Sequence, residues 1–136
     1  MRFVSSGLDK KINVVNTITG DCEKTFENSF MVNNVMLGPE ECTVVAACSD
    51  RKLRLFHTGL HTDTSGRALV SENSSITSVS MSSDRQLALL SLCSEDPRSN
   101  PLRLWDLGSE QLQTEYKGHV QGKYVIRYVA SCCVHR

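Results

Sequence analysis

The 136-residue sequence lacks long apolar runs, and no stretch approaches the roughly 20 consecutive apolar residues of a membrane-spanning helix. It also lacks net charge, with 15 Lys and Arg residues against 15 Asp and Glu residues. There is thus no basic surplus to bind nucleic-acid phosphates, and the first residues lack the apolar segment of a signal peptide. We therefore expect no membrane or nucleic-acid partner, and a cytoplasmic or nuclear location.

Motifs for metal binding and catalysis are missing as well. The six cysteines form no C-x-x-C pair, and the H-x3-H spacing of His57 and His61 has no cysteine pair at a distance suited to zinc. There is no G-x-S-x-G nucleophile turn and no G-x-x-x-x-G-K-[ST] phosphate loop. The sequence therefore predicts no metal, no cofactor and no enzymatic activity.

What the sequence does contain is a short alternating segment that occurs three times. Its best copy is Leu-Arg-Leu-Trp-Asp at Leu102–Asp106, and earlier copies lie at 9–16 and 50–57. The copies recur at intervals of about 40 to 50 residues, close to the period of one blade of a β-propeller. The second interval is longer because of a polar insertion at 94–101, whose two prolines predict a loop.

Between these copies, apolar runs bounded by turn residues predict short strands rather than helices. Two complete four-stranded units are predicted at 30–72 and 76–116, after three strands of an earlier unit and before one strand from Tyr124. The expected fold is all-β, an arc of about three propeller blades of four antiparallel strands, which leaves an incomplete ring. The predicted propeller domain is 1–127, with repeats at 1–27, 28–73 and 74–117 and a further blade starting at 118–127, and 128–136 is a divergent tail.

An arc of this kind leaves a bare sheet face at each end, because propeller blades normally cover one another around a closed ring. Exposed apolar faces of that size favour association. Either the chain is a fragment of a longer protein, or it borrows the missing blades from another chain.

The repeat resembles the WD40 repeat. The fuller WD40 pattern joins a His from a Gly-His pair, a Ser or Thr, a turn Asp and a Trp through hydrogen bonds. The matching residues are Asp9, Asp50, Trp105, Asp106, Gly118 and His119. Asp9 and Asp50 are expected to accept hydrogen bonds within turns. Phe56 and Val15 occupy the Trp position of the other units, which should therefore depend more on packing.

A narrower resemblance is carried by segments 2–11, 75–80, 85–90, 104–107 and 116–127. In these the chain is similar to the WD-repeat protein 26 family, a subunit of the GID/CTLH ubiquitin ligase. The resemblance implies a scaffold or substrate-recruiting subunit in truncated form, with ubiquitin-ligase subunits, substrate proteins or acidic peptides as partners. Two alternatives stay open, a generic WD40 adaptor in signalling or trafficking, and a truncated product without independent activity.

In the WD40 layout, the loops after the second and fourth strands of each blade share one edge, which we call the basic edge. Its predicted basic residues are Lys10, Lys11, Arg51, Lys52, Arg98, Lys117 and Lys123, offset in part by Glu27, Glu72, Glu95 and Asp96. The opposite edge is mainly acidic. We expect the basic edge to bind an acidic peptide or partner loop. The alternative is that these charges are solvated turn residues.

Overall fold

A computed structural model of the chain describes residues 1–40, 42–59 and 64–120. These residues form β1 (Arg2–Ser6), β2 (Lys11–Asn16), β3 (Cys22–Glu27), β4 (Val32–Leu37), β5 (Thr43–Cys48), β6 (Lys52–His57), β7 (Arg67–Ser71), β8 (Ser75–Met81), β9 (Leu87–Cys93), β10 (Leu102–Asp106) and β11 (Gln111–Tyr116). A short 3-10 helix, Pro97–Ser99, interrupts the loop between β9 and β10. Within the described ranges, no helix has the length and apolar character needed to cross a membrane.

The strands form three antiparallel sheets in the order of the sequence. The first sheet contains β1 to β3, the second β4 to β7 and the third β8 to β11, and consecutive strands are hydrogen-bonded neighbours in each. This confirms the predicted all-β propeller arc. The strand predicted from Tyr124 and the tail 128–136 lie outside the described residues.

Strand β5 shows why the second sheet has no polar face. All six of its residues are buried. Since side chains alternate across a strand, Val44 and Ala46 pack with residues of the first sheet, whereas Val45 and Ala47 pack with residues of the third. The second sheet is therefore enclosed on both sides, and an uninterrupted apolar run is the sequence pattern that this position requires.

Three hairpin turns share a pair of residues, an Asp followed by Lys or Arg. The basic members are Lys10, Arg51 and Arg85, with φ of 65°, 70° and 59°, in the left-handed region. The carboxylate of Asp9 accepts a hydrogen bond from the backbone N–H of Lys11 at 3.2 Å within the first of these turns. These cationic side chains therefore lie at turn positions fixed by backbone geometry.

The two outer faces of the stack of sheets differ in polarity. On the third sheet, Ala88, Leu90 and Leu92 point to the second sheet, so by alternation Leu87 and Leu89 lie on the opposite, outer face. Leu104 pairs with Leu89 across the strands and shares that face. No sheet of the described chain covers it.

The outer face of the first sheet mixes apolar and polar side chains, since Val4 and Val14 face the second sheet and Phe3 and Val15 therefore lie on the outer side. Ile12 and Val14 face the second sheet, and by alternation Asn13 lies on the outer face. The Thr25 hydroxyl donates a hydrogen bond to the Asn13 side chain at 2.8 Å, and the Cys22 thiol lies 3.4 Å from that hydroxyl. The outer face of the third sheet is thus the more apolar of the two.

Candidate protein-binding cleft

A polar cleft lies on the basic edge of the third sheet, between the β9–β10 loop and the segment that follows β11. Its volume is about 290 Å³, and its lining includes Arg98, Lys117, Gly118 and His119. The structure thus brings together two of the predicted basic residues with the Gly-His pair. We call this feature the edge cleft. Its volume lies at the lower limit of the about 300–1,000 Å³ of small-molecule sites.

The β9–β10 loop is held in shape by hydrogen bonds to two of its own side chains. The Asp96 carboxylate accepts hydrogen bonds from the backbone N–H of Arg98 at 3.0 Å and from the Ser99 hydroxyl at 2.9 Å. Asn100 is buried, and its side-chain oxygen accepts the N–H of Ser94 at 2.6 Å. Asp96 is therefore used within the loop, while the Arg98 side chain is exposed.

A chain of alternating charges runs from the interior to the edge cleft. The Arg103 guanidinium contacts Glu72 at 2.6 Å and Glu115 at 2.9 Å, and the Lys117 ammonium contacts Glu115 at 2.8 Å. Exposure increases along this order, from 0% for the Glu72 side chain to 77% for Lys117. Hydrogen bonds from Lys117 and then Arg103 outweigh desolvation and lower the pKa of Glu115. We call these four residues the charge chain.

The prediction that Glu72 is an acid that offsets the charge of the basic edge is wrong, because its side chain is buried. Its carboxylate accepts hydrogen bonds from the Trp105 indole N–H at 2.8 Å and from Arg103. A buried carboxylate is costly unless it is paired in this way. Glu72 follows β7 directly, in the kind of loop where the WD40 pattern places its Gly-His pair. That position is the signal that could have identified it as the partner of Trp105.

The second sheet contains a related pair that the sequence analysis did not identify. Arg54 lies two residues before Phe56, as Arg103 lies two residues before Trp105. Both guanidinium NH₂ groups of Arg54 donate to Asp50, at 2.8 and 2.6 Å. Burial raises the pKa of Asp50, but the hydrogen bonds and charge of Arg54 outweigh it and lower that pKa. Asp50 therefore binds an arginine in addition to its place in the turn.

The remaining predicted residues lie outside the edge cleft. Lys10 and Arg51 are exposed in their turns, and Lys52 is half-buried at the start of β6. Lys11 pairs with Glu27 at 3.7 Å. The Asp106 carboxylate accepts the N–H groups of Gly108 and Ser109, at 2.9 and 3.1 Å, so it forms a turn. Lys123 lies outside the described residues.

A larger groove of about 640 Å³ lies beside the first and second sheets and is lined by Arg2, Glu23 and Cys42, among others. Arg2 and Glu23 form an ion pair there, so their charges largely cancel. In the described part of the chain, no cluster of three or more His, Cys, Asp or Glu residues could hold a metal ion. Arg85, an exposed cation of the opposite edge, also lines the larger groove, so the edge cleft is distinguished by its place on the basic edge and not by its cations alone.

The chain is similar to known WD repeat-containing proteins, although no family model matches it. A WD repeat-containing protein of Dictyostelium discoideum is 28% identical over 96 residues, and the WD repeat-containing protein WDS homolog of Arabidopsis thaliana is 31% identical over 97 residues. The WD repeat-containing protein 26 homolog of Arabidopsis thaliana is 27% identical over 97 residues. Each alignment covers 71% of this chain but only 15–17% of the relative.

The order of the strands and the stacking of the sheets define the architecture as an incomplete WD40 propeller. Together with the similarity to these relatives, they show that the chain is a WD40-repeat protein that resembles the WD-repeat protein 26 family. It spans about one-sixth of the length of the relatives that it matches.

Proposed function

We propose that this chain contributes a non-enzymatic protein-binding surface to a GID/CTLH-type ubiquitin ligase, as a scaffold or substrate-recruiting part in truncated form. The observation that carries the proposal is the edge cleft, where Arg98 and Lys117 project from a loop and a strand end whose shapes are fixed by internal hydrogen bonds. Loops held by a rigid sheet are suited to binding partners. Similarity to the WD repeat-containing protein 26 homolog supports the ligase part of the proposal.

The basic edge has the charge needed to bind acidic partner proteins. Lys10, Arg51 and Arg98 are exposed there, whereas Glu72 is buried and paired with Arg103. Long-range attraction accelerates association between surfaces of opposite charge. The expected partners are ligase subunits, substrate proteins or acidic peptides in the cytoplasm or nucleus.

The test is affinity purification of the tagged chain from cytoplasmic and nuclear extracts, with detection of RING-type ligase subunits. The variant carries charge reversals at the two cations of the edge cleft, Arg98 and Lys117, together with Lys10, Lys11, Arg51 and Lys52. We expect the unaltered chain to recover ligase subunits and the variant to lose them. The control carries a charge reversal at Arg85, an exposed residue of the opposite edge, and should recover them. Undiminished recovery by the basic-edge variant would refute a role for this edge.

A generic WD40 adaptor is the second candidate, and the same experiment separates the two. Recovery of protein partners without any RING-type ligase subunit would favour the adaptor. Soluble expression with cooperative unfolding of the 136-residue chain would count against a product without independent activity, because such unfolding requires a stable packed core.

A further inference from the structure

We propose that the edge cleft binds a carboxylate side chain of an acidic peptide segment, with Arg98 and Lys117 as the residues that recognise it. The inference deepens the proposed function and rests on it in one respect, that partners bind on the basic edge. It assigns the specificity of that edge to one cleft and two cations rather than to its overall charge.

The charge chain favours an anion as the ligand of the edge cleft. Its order from the interior outward is Glu72, Arg103, Glu115 and Lys117, so it alternates and ends on a cation. Lys117 is 77% exposed, and its ammonium has three donor hydrogens, so the contact with Glu115 leaves donors for a second acceptor. The next group in an alternating series is an anion.

Arg98 provides the second cation of the edge cleft. Its side chain is exposed, and within the described part of the chain no carboxylate pairs with its guanidinium. Asp96, the nearest acid in sequence, accepts hydrogen bonds from the backbone N–H of Arg98 and from Ser99 instead. A guanidinium binds a carboxylate through two parallel hydrogen bonds. Arg98 is therefore available to a carboxylate ligand.

The size of the cleft and the hydrogen bonds within its loop favour a peptide side chain as the occupant. The volume of about 290 Å³ is small for a cofactor. Loop residues Ser94, Asp96 and Asn100 are hydrogen-bonded within the loop, so little conformational entropy is lost when a ligand binds. The absence of a positive net charge on the sequence argues against a nucleic-acid backbone as the ligand.

Glu115 is a positioning residue in this arrangement. It lies between Arg103 and Lys117 and accepts a hydrogen bond from each, which fixes the Lys117 side chain beside the cleft. Replacement of Glu115 by Gln keeps the shape but weakens that contact. Glu115 also lines the cleft, so Glu115→Gln removes a negative charge as well as the contact that positions Lys117. We expect it to change the pH dependence of ligand binding, whereas a merely structural role would change only stability.

The test is fluorescence anisotropy of the 136-residue chain with a short labelled peptide of alternating Glu and Ser. A peptide with Gln in place of Glu is the uncharged counterpart. We expect the Glu peptide to bind and the Gln peptide to fail. Arg98→Glu should weaken the affinity by about tenfold or more, as expected when a charge-assisted hydrogen bond is replaced by repulsion. Lys117→Gln should weaken it by less, because Lys117 already has a partner.

The matched control is Arg85→Glu, which makes the same charge change on an exposed residue of the opposite edge. Its affinity for the Glu peptide should equal that of the unaltered chain. Equal weakening by Arg98→Glu and Arg85→Glu would show non-specific attraction and overturn the proposal. Failure of the Glu peptide to bind the unaltered chain would overturn it too.

Thermal unfolding of each variant verifies that loss of binding does not arise from loss of the fold. The purification of ligase subunits is a separate measurement. Specific peptide binding without ligase subunits would refute the ligase part of the proposed function and retain the cleft assignment. Recovery of ligase subunits by the Arg98→Glu variant, together with undiminished peptide binding, would refute the cleft assignment alone.

Discussion

The indole N–H of Trp105 donates a 2.8 Å hydrogen bond to Glu72, a carboxylate whose side chain is completely buried. Trp105 is the sole tryptophan of the chain and belongs to β10 of the third sheet. Glu72 follows β7 of the second sheet. The hydrogen bond therefore connects two neighbouring sheets, and one carboxylate satisfies both the tryptophan and Arg103.

Replacement of Glu72 by Gln should destabilise the fold. The variant leaves Arg103 with Glu115 alone, so we expect a loss of about 2 kcal/mol in the free energy of unfolding. Breaking a fully buried pair costs about 3–5 kcal/mol, and Arg103 is partly exposed. Denaturant unfolding followed by Trp105 fluorescence measures the loss. The exposed Glu95→Gln is the control, and equal stability of the two variants would contradict the role given to Glu72.

The charge chain predicts lability to acid. Hydrogen bonds from Lys117, then Arg103, outweigh desolvation and lower the pKa of Glu115 below its ordinary value of 4.5. A carboxyl with a lowered pKa in the folded state stabilises the fold above its unfolded pKa, and that contribution is lost as the pH falls through the folded value. The melting temperature should therefore fall below about pH 4.5, and by less in Glu115→Gln. An identical pH profile in that variant would exclude Glu115 as a source of the effect.

Replacement of Arg51 by glycine should stabilise the fold. Its φ of 70° lies in the left-handed region, which disfavours residues with a Cβ atom. We expect Arg51→Gly to raise the free energy of unfolding by about 0.5–1 kcal/mol, after allowance for the greater entropy of glycine in the unfolded chain. Lys52→Gly, one residue later in β6, should instead lower it. Thermal unfolding of both variants tests these two predictions. If Arg51→Gly does not stabilise the fold, backbone strain in this turn is excluded as a source of instability.

Gly66 should not tolerate alanine. A Cβ atom at this position would overlap the ring of Phe56, which is buried in the core between the first and second sheets. We expect Gly66→Ala to destabilise the fold by about 1–3 kcal/mol, the usual cost of overpacking. Gly108→Ala, whose new Cβ would meet its nearest atom at 3.4 Å, is the control. Similar unfolding midpoints for the two variants would show that the ring can move aside.

Much of the fold could be predicted because its main signals are local. The apolar run of β5 and the alternation of β10 are readable from consecutive residues, and turn residues limit each strand. The burial of Glu72 could not be predicted in this way, since it depends on a contact between sheets rather than on its neighbours in sequence. Glu72 is followed by three polar residues, a pattern that indicates an exposed loop.

The sequence predicts the basic residues of the edge cleft but not their approach to one another. The sequence assigns Arg98 and Lys117 to the basic edge, but their approach depends on the pairing of β10 with β11, in which Leu102 lies opposite Tyr116. That pairing places the loop before β10 beside the segment after β11. The pairing of Glu115 with Arg103 and Lys117 depends on side-chain directions, and strand periodicity alone does not specify a three-residue contact.

The two outer faces of the stack of sheets differ in how much free energy they would gain if another sheet covered them. A sheet added beside Leu89 and Leu104 would remove apolar surface from water, at about 25 cal/mol for each Å² buried. A sheet added to the outer face of the first sheet would cover Phe3 and Val15 but also the hydrogen-bonded Asn13 and Thr25 side chains, which gain less from burial. We therefore expect a further blade, from this protein or from another chain, to pack first against the outer face of the third sheet.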